Sequence, residues 1–155
     1  MYTLRTLAVA AAAILAASTV HAEPKALPSP AGAEPIDGQS VYDAFRGKEG
    51  IARIMEDFVP RIFADPRIAG HFKTTNPDRL KLMLTQQVCY LTGGPCEYSG
   101  RDMTEVHANL GLTNADFNAL AEDLQVSMDK EDVPFRAQNR LLARLAPMQR
   151  VIVTK

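Results

Sequence analysis

His107 is the side chain in this protein best equipped to bind a metal. It stands in the stretch Gly100-Arg101-Asp102-Met103-Thr104-Glu105-Val106-His107-Ala108-Asn109-Leu110-Gly111-Leu112. The other histidines are His21 and His71, and His21 falls in an N-terminal stretch that reads as a cleaved export signal. An imidazole ligand for iron is therefore offered by His71 or His107. A neutral imidazole nitrogen on a rigid helix can ligate iron, provided its second nitrogen is held by a carbonyl or a water. Met103 and Leu110 lie about one helical turn to either side, so an apolar face flanks the ring. Taken alone, the residues leave two readings of His107 open: a metal ligand, or a core or surface histidine on a short helix. His71 precedes Phe72 in an irregular segment, where neighbours tend to point in different directions.

Cys89 and Cys96 are the second pair with chemistry to offer. They bracket the sharp turn Thr92-Gly93-Gly94-Pro95. An exported chain permits a disulfide, which is the expected state, with two reduced buried thiols as the alternative. A bridge over so short a loop would restrain the unfolded chain by roughly 2–3 kcal/mol on the chain-entropy account. Spacing does not settle the matter, because the Cα atoms must come within about 7 Å.

The elements that must position these groups are helical. Val41 to Phe45 predicts one short turn ended by Gly47. Ile51, Ile54, Met55, Phe58, Val59, Ile62 and Phe63 recur at helical spacing between Lys48 and Ala64. Pro60 lies inside that run and predicts a kink or a break. Asn76-Pro77-Asp78 is a helix start, with an Asn cap and Pro at the first position. Leu80, Met83, Leu84, Gln87, Val88 and Leu91 mark one face of the helix that follows, and Gly93-Gly94-Pro95 stops it. A short helix around Met103 to Asn109 carries His107. Thr113 with Asp116 resembles a capping box and opens a helix bearing Phe117, Leu120, Leu124 and Met128. Val133-Pro134 opens the last helix, which Pro147 is expected to bend. No alternating strand pattern is present, so the fold class is all-α. The unequal helices and the irregular stretch after the third do not suit a simple four-helix bundle.

The ends divide the chain into three parts. Arg5, the apolar run from Leu7 to Ala17 and the small-x-Ala sequence Val20-His21-Ala22 make residues 1–22 a signal peptide cleaved before Glu23. The run is too short for a confident membrane span, and no membrane anchor is expected in the mature chain. A periplasmic or secreted protein follows. Residues 23–38 hold Pro24, Pro28, Pro30 and Pro35 with Gly32 and Gly38, and read as an extended linker. Residues 39–155 fit one domain, long enough for a hydrophobic core. A formal net charge of −1 over 155 residues argues against nucleic acid or an anionic membrane surface as partner.

Several pieces in order resemble the group I truncated haemoglobins: Glu56-Asp57-Phe58, then Arg61-Ile62-Phe63-Ala64-Asp65-Pro66, then Phe72, then Leu91-Thr92-Gly93-Gly94-Pro95, then Tyr98-Ser99-Gly100-Arg101-Asp102-Met103. The resemblance runs from Val41-Tyr42-Asp43-Ala44 to Ala146-Pro147-Met148. It implies a two-over-two helical sandwich around a non-covalent b-type haem. His107 falls where that family places its proximal ligand, and Phe72 where it places an aromatic residue against the haem. No Cys-x-x-Cys-His is present, so the usual covalent c-type attachment is excluded.

On the opposite side of the haem the chain departs from the family. Members usually carry a tyrosine on the second helix and often a glutamine on the third, both donating to bound dioxygen. The matching positions here are Val59 and Leu84, with Leu80, Met83 and Phe58 completing an apolar wall. Gln87 lies three residues beyond Leu84, on nearly the same face. It is either a substitute donor or a buried residue packing at the cofactor edge. Arg101, Lys73, Arg79 and Lys81 flank the expected pocket, either as partners for anionic propionates or as ordinary surface charge.

The resemblance implies reversible binding of a diatomic gas (O2, NO or CO) at a haem held by His107. Other classes remain. One is a haem enzyme, a nitric oxide dioxygenase or peroxidase-like, which needs an external reductase because the chain has no flavin or nicotinamide module. Another is a hexacoordinate electron carrier or sensor in which His71 or Met83 closes the sixth position. The last is a haem-free helical interaction module.

Overall fold

The computed structural model describes residues 27–155. The expected signal peptide, with His21, and the start of the expected linker, with Pro24, lie outside the described residues.

Among the described residues seven α-helices follow one another: α1 (Ser40–Ala44), α2 (Gly47–Ala64), α3 (Pro77–Leu91), α4 (Met103–His107), α5 (Asn114–Lys130), α6 (Phe135–Leu145) and α7 (Gln149–Ile152). Short 3-10 turns occupy Ala69–Phe72 and Ala146–Met148. No strand occurs among the described residues. The α2–α3 pair lies over the α5–α6 pair, with α2 packed on both α3 and α5. This is the two-over-two sandwich, and α4 is a separate short element packed on α7.

Local chemistry accounts for the helix boundaries. The Asn76 side chain accepts from the Arg79 amide at 2.9 Å, and Pro77 occupies the first turn, where its missing N–H costs nothing. Thr113 and Asp116 close a reciprocal capping box at the start of α5. Asp102 caps α4 by accepting from the Thr104 amide at 2.8 Å. Pro147 replaces the α-helix with a 3-10 turn, so the last expected helix becomes α6, that turn and α7. Pro60 does not break α2, which runs unbroken to Ala64. Pro60 is exposed, so the interrupted hydrogen bond falls on the solvent side while the buried face stays continuous.

Ile51, Ile54, Met55, Phe58 and Ile62 of α2 enter the core with Val88 and Leu91 of α3, Leu124 and Met128 of α5 and Leu141 of α6. A polar seam pins α2 to α5 at the edge of this core. Asp57 accepts from Arg61 and Ser127, each at 2.8 Å, and from Lys130.

The expected linker is corrected for its described part. Residues 27–38 are packed onto the domain, with Ala31, Ala33 and Ile36 buried in the core. Ser29 Oγ donates to Ala33 O at 2.7 Å, and the Ile36 amide donates to Leu91 O at 2.9 Å. Gly93 permits this docking: it has φ +87°, and a Cβ there would strike the carbonyl oxygens of Gly38 and Ile36. Prolines and glycines that read as an extended spacer instead supply turns, and small side chains let the backbone approach.

Candidate functional site

His107 closes α4 with its ring half-buried. Nδ1 lies 2.7 Å from the carbonyl oxygen of Met103, one turn earlier. A carbonyl only accepts, so the proton resides on Nδ1 and the Nε2 lone pair is left for another partner. Burial disfavours the imidazolium and lowers the His107 pKa, against an opposing contribution from the bond to Met103. The outcome is a neutral ring with fixed tautomer and fixed orientation, as a metal-binding imidazole requires. A single imidazole holds a metal only when another molecule supplies the remaining ligands, as a porphyrin does.

Several apolar side chains on α3, on the turn before it and just past α4 are incompletely buried. Phe72, Leu80 and Leu84 are half-buried and pack against the core, and Phe72 stacks on Phe63 with ring centroids 5.5 Å apart. Met83 is half-buried on α3. Leu110, three residues past His107, keeps 41% of its surface exposed. These faces are suited to covering a flat apolar macrocycle, so the residues present fit a haem. Phe58 and Val59 are fully buried on α2, Phe58 as part of the main core. At positions 59 and 84 the side chains offer no hydrogen-bond donor.

Gln87 is buried, and its amide is engaged within the chain. Its amide nitrogen donates to Ala31 O at 2.8 Å and contacts Met103 Sδ at 3.2 Å, so both amide hydrogens have partners within the chain. Its reading as a free substitute donor is thereby corrected: the segment ahead of α1 supplies the Ala31 carbonyl, 56 residues away, as its acceptor. Met103 is buried beneath the ring that it orients. His71 Nε2 lies 3.6 Å from Asp116 Oδ2 at the start of α5. Lys81 is paired with Glu56 at 2.6 Å, and Arg101 stands 3.6 Å from Glu105. Cys89 and Cys96 form a disulfide with Cα atoms 5.7 Å apart, joining the end of α3 to the loop that leads to α4.

The bacterial-like globin family profile matches residues 40–154. The chain belongs to that family. Within it the globin resembles the group I truncated haemoglobins. It is 33% identical to the group 1 truncated hemoglobin of Mycolicibacterium paratuberculosis over 115 residues, covering 74% of this chain and 85% of that one. The solved Fe(III) form of the truncated hemoglobin of Tetrahymena pyriformis aligns with a TM-score of 0.71 at 26% identity, over 74% of this chain and 98% of the other. A Synechococcus 2/2 hemoglobin with covalently attached heme shares the fold, with a TM-score of 0.67 at 24% identity over 75% of this chain and 99% of that one. The protein is thus a haem-binding globin of the group I truncated type, with a diatomic gas as its ligand.

Ala31 and Gly32 are the site-adjacent residues that sequence reasoning missed. The small-residue run Ala31-Gly32-Ala33 was the available signal, and the surrounding prolines masked it.

Proposed function

We propose that this globin binds a diatomic gas reversibly at a non-covalent b-type haem whose iron is ligated by Nε2 of His107. The observation that carries this is the 2.7 Å bond from Nδ1 to Met103 O, which leaves Nε2 as the lone-pair donor. A bound haem would supply the iron that binds the gas, and the chain would hold it through His107 and its incompletely buried apolar side chains. His71 is engaged with Asp116, which favours an open sixth position over closure by that ring. Val59 and Leu84 offer no donor to a ligand that gathers negative charge on binding, as dioxygen does. Such a donor contributes about 1–3 kcal/mol, so dioxygen is held weakly relative to carbon monoxide and nitric oxide.

We further propose export to the periplasm or the exterior, with a mature chain beginning at Glu23. The Cys89–Cys96 disulfide supports an oxidising compartment. No helix among the described residues is long and apolar enough to cross a membrane. Mass spectrometry of the exported protein tests the cleavage site; an intact N-terminus overturns it.

The deciding experiment is the visible spectrum of the purified ferrous protein with and without carbon monoxide. A five-coordinate high-spin spectrum that converts fully on adding carbon monoxide is expected. His107→Ala should abolish that signature or strip the haem. A low-spin ferrous spectrum before any ligand is added, or an unchanged spectrum in the variant, defeats the reading.

A further inference from the structure

The described hydrogen bonds connect the imidazole to a segment far from it in sequence. Met103 faces two ways: its carbonyl oxygen accepts from His107 Nδ1 at 2.7 Å, and its sulfur lies 3.2 Å from Gln87 Nε2. The same nitrogen donates to Ala31 O at 2.8 Å. Gln87 is on α3 and is buried at 6% exposure. Gly32 is wedged beside Met103 and Met148; with φ +96° and no room for a Cβ, it fixes the path of the segment at that point. The segment is anchored again at Ile36, which donates to Leu91 O near the end of α3. Segment, α3 and α4 therefore meet at one buried amide.

We propose that Gln87 is a positioning residue for the iron ligand. With the Ala31 carbonyl as its fixed anchor, it clasps α4 to α3 through Met103 and so sets where the His107 ring stands relative to the opposite wall. This rests on His107 being the ligand, and deepens that reading. A five-residue helix has almost no cooperative stability of its own, so its placement is decided by such tertiary contacts. A buried amide with both hydrogens bonded has one low-energy orientation, since any other leaves polar groups unpaired. Loss of the clasp frees α4 to tilt or slide, and the ring moves with the carbonyl that holds it.

The test uses the haem-loaded protein. Gln87→Leu removes both donors at similar volume. Met103→Leu removes the sulfur acceptor but keeps the backbone carbonyl that holds His107. Each variant is expected to shift the iron–histidine stretching band in the ferrous resonance Raman spectrum. Each should also speed haem loss to a scavenger by about fivefold, the equivalent of one net hydrogen bond. The double variant should lose less than the product of the two single effects, because both cut the same link. A purely structural role for Gln87 lowers Tm but leaves the iron–histidine band in place, and that result overturns the proposal. Should Gln87→Leu fail to fold, Met103→Leu decides alone, and an unshifted band there is equally fatal. Failure of the underlying ligand assignment looks different: His107→Ala would then keep the native spectrum whatever happens at position 87.

Discussion

At the scale of single residues, two positions make opposite kinds of statement. Val59 is fully buried, and its side chain offers no hydrogen-bond donor. Val59→Tyr should slow dioxygen release about tenfold, the effect of one hydrogen bond to a partly charged acceptor. The larger ring must enter a filled space, so a stability loss of about 1–3 kcal/mol accompanies the gain. Flash photolysis and denaturant melts read the two effects separately; unchanged release would mean that position 59 does not face the gas. Asp57 is a charge held in place. Burial pushes its pKa up, but Lys130, Arg61 and Ser127 together outweigh that and hold it at about 2. A depressed carboxyl pKa contributes stability that is present above the unfolded value, near 3.8, and is lost as pH falls towards 2. Asp57→Asn should therefore cost about 1–2 kcal/mol at pH 7, after allowance for a carboxylate a quarter exposed to solvent, and almost nothing near pH 2. Urea titrations at both pH values check this, and a deficit that persists at low pH would assign the loss to packing instead of charge.

At the scale of elements, the helices were legible wherever a short sequence carries its own instruction. Asn76-Pro77 and the Thr113–Asp116 box announce α3 and α5, because a cap is satisfied within three or four residues. The break that Pro60 allowed does not occur, because local rules count the lost donor and not the side of the helix on which it falls: tertiary burial of the opposite face keeps α2 continuous. The Nδ1 partner of His107 was left open in sequence as a carbonyl or a water, and its identity as Met103 O depends on α4 ending at the ring. The disulfide was expected from the export signal read in the sequence and awaited geometry, which the turn at Gly93 and Gly94 supplies. The bridge closes a short loop at the junction of α3 with the path to α4, so it acts mainly on the unfolded chain. Replacing both cysteines with alanine should lower stability by about 2–3 kcal/mol. Guanidinium melts of wild type should lose a similar amount on adding reductant, and the double variant should ignore reductant altogether. Equal melts in every condition would show that the crosslink contributes nothing beyond what the turn already enforces.

At the scale of the whole molecule, the part hidden from sequence reasoning was the segment ahead of α1. Its composition describes how the chain behaves alone, whereas its burial depends on partners far along the sequence: Gln87 for Ala31, Leu91 for Ile36, Met103 and Met148 for Gly32. No local pattern encodes a contact spanning more than fifty residues, so proline and glycine counts favour a spacer even where the folded domain offers a seat. The two readings differ in thermodynamic consequence. A spacer can be removed at no cost to the domain behind it. A packed segment contributes its own buried side chains and also covers the apolar surface beneath them. Ile36 alone, at 3% exposure, is worth about 2–5 kcal/mol against alanine in a core. A chain beginning at Gln39 should therefore be less stable than one beginning at Glu23 by at least that much, and Ile36→Ala in the longer chain should reproduce part of the same deficit. Because the segment also holds Gln87, the shorter chain should lose haem faster than Ile36→Ala does at matched stability. Denaturant melts of the two lengths, with and without haem, decide it: superimposable curves would restore the spacer and leave the domain to begin at α1.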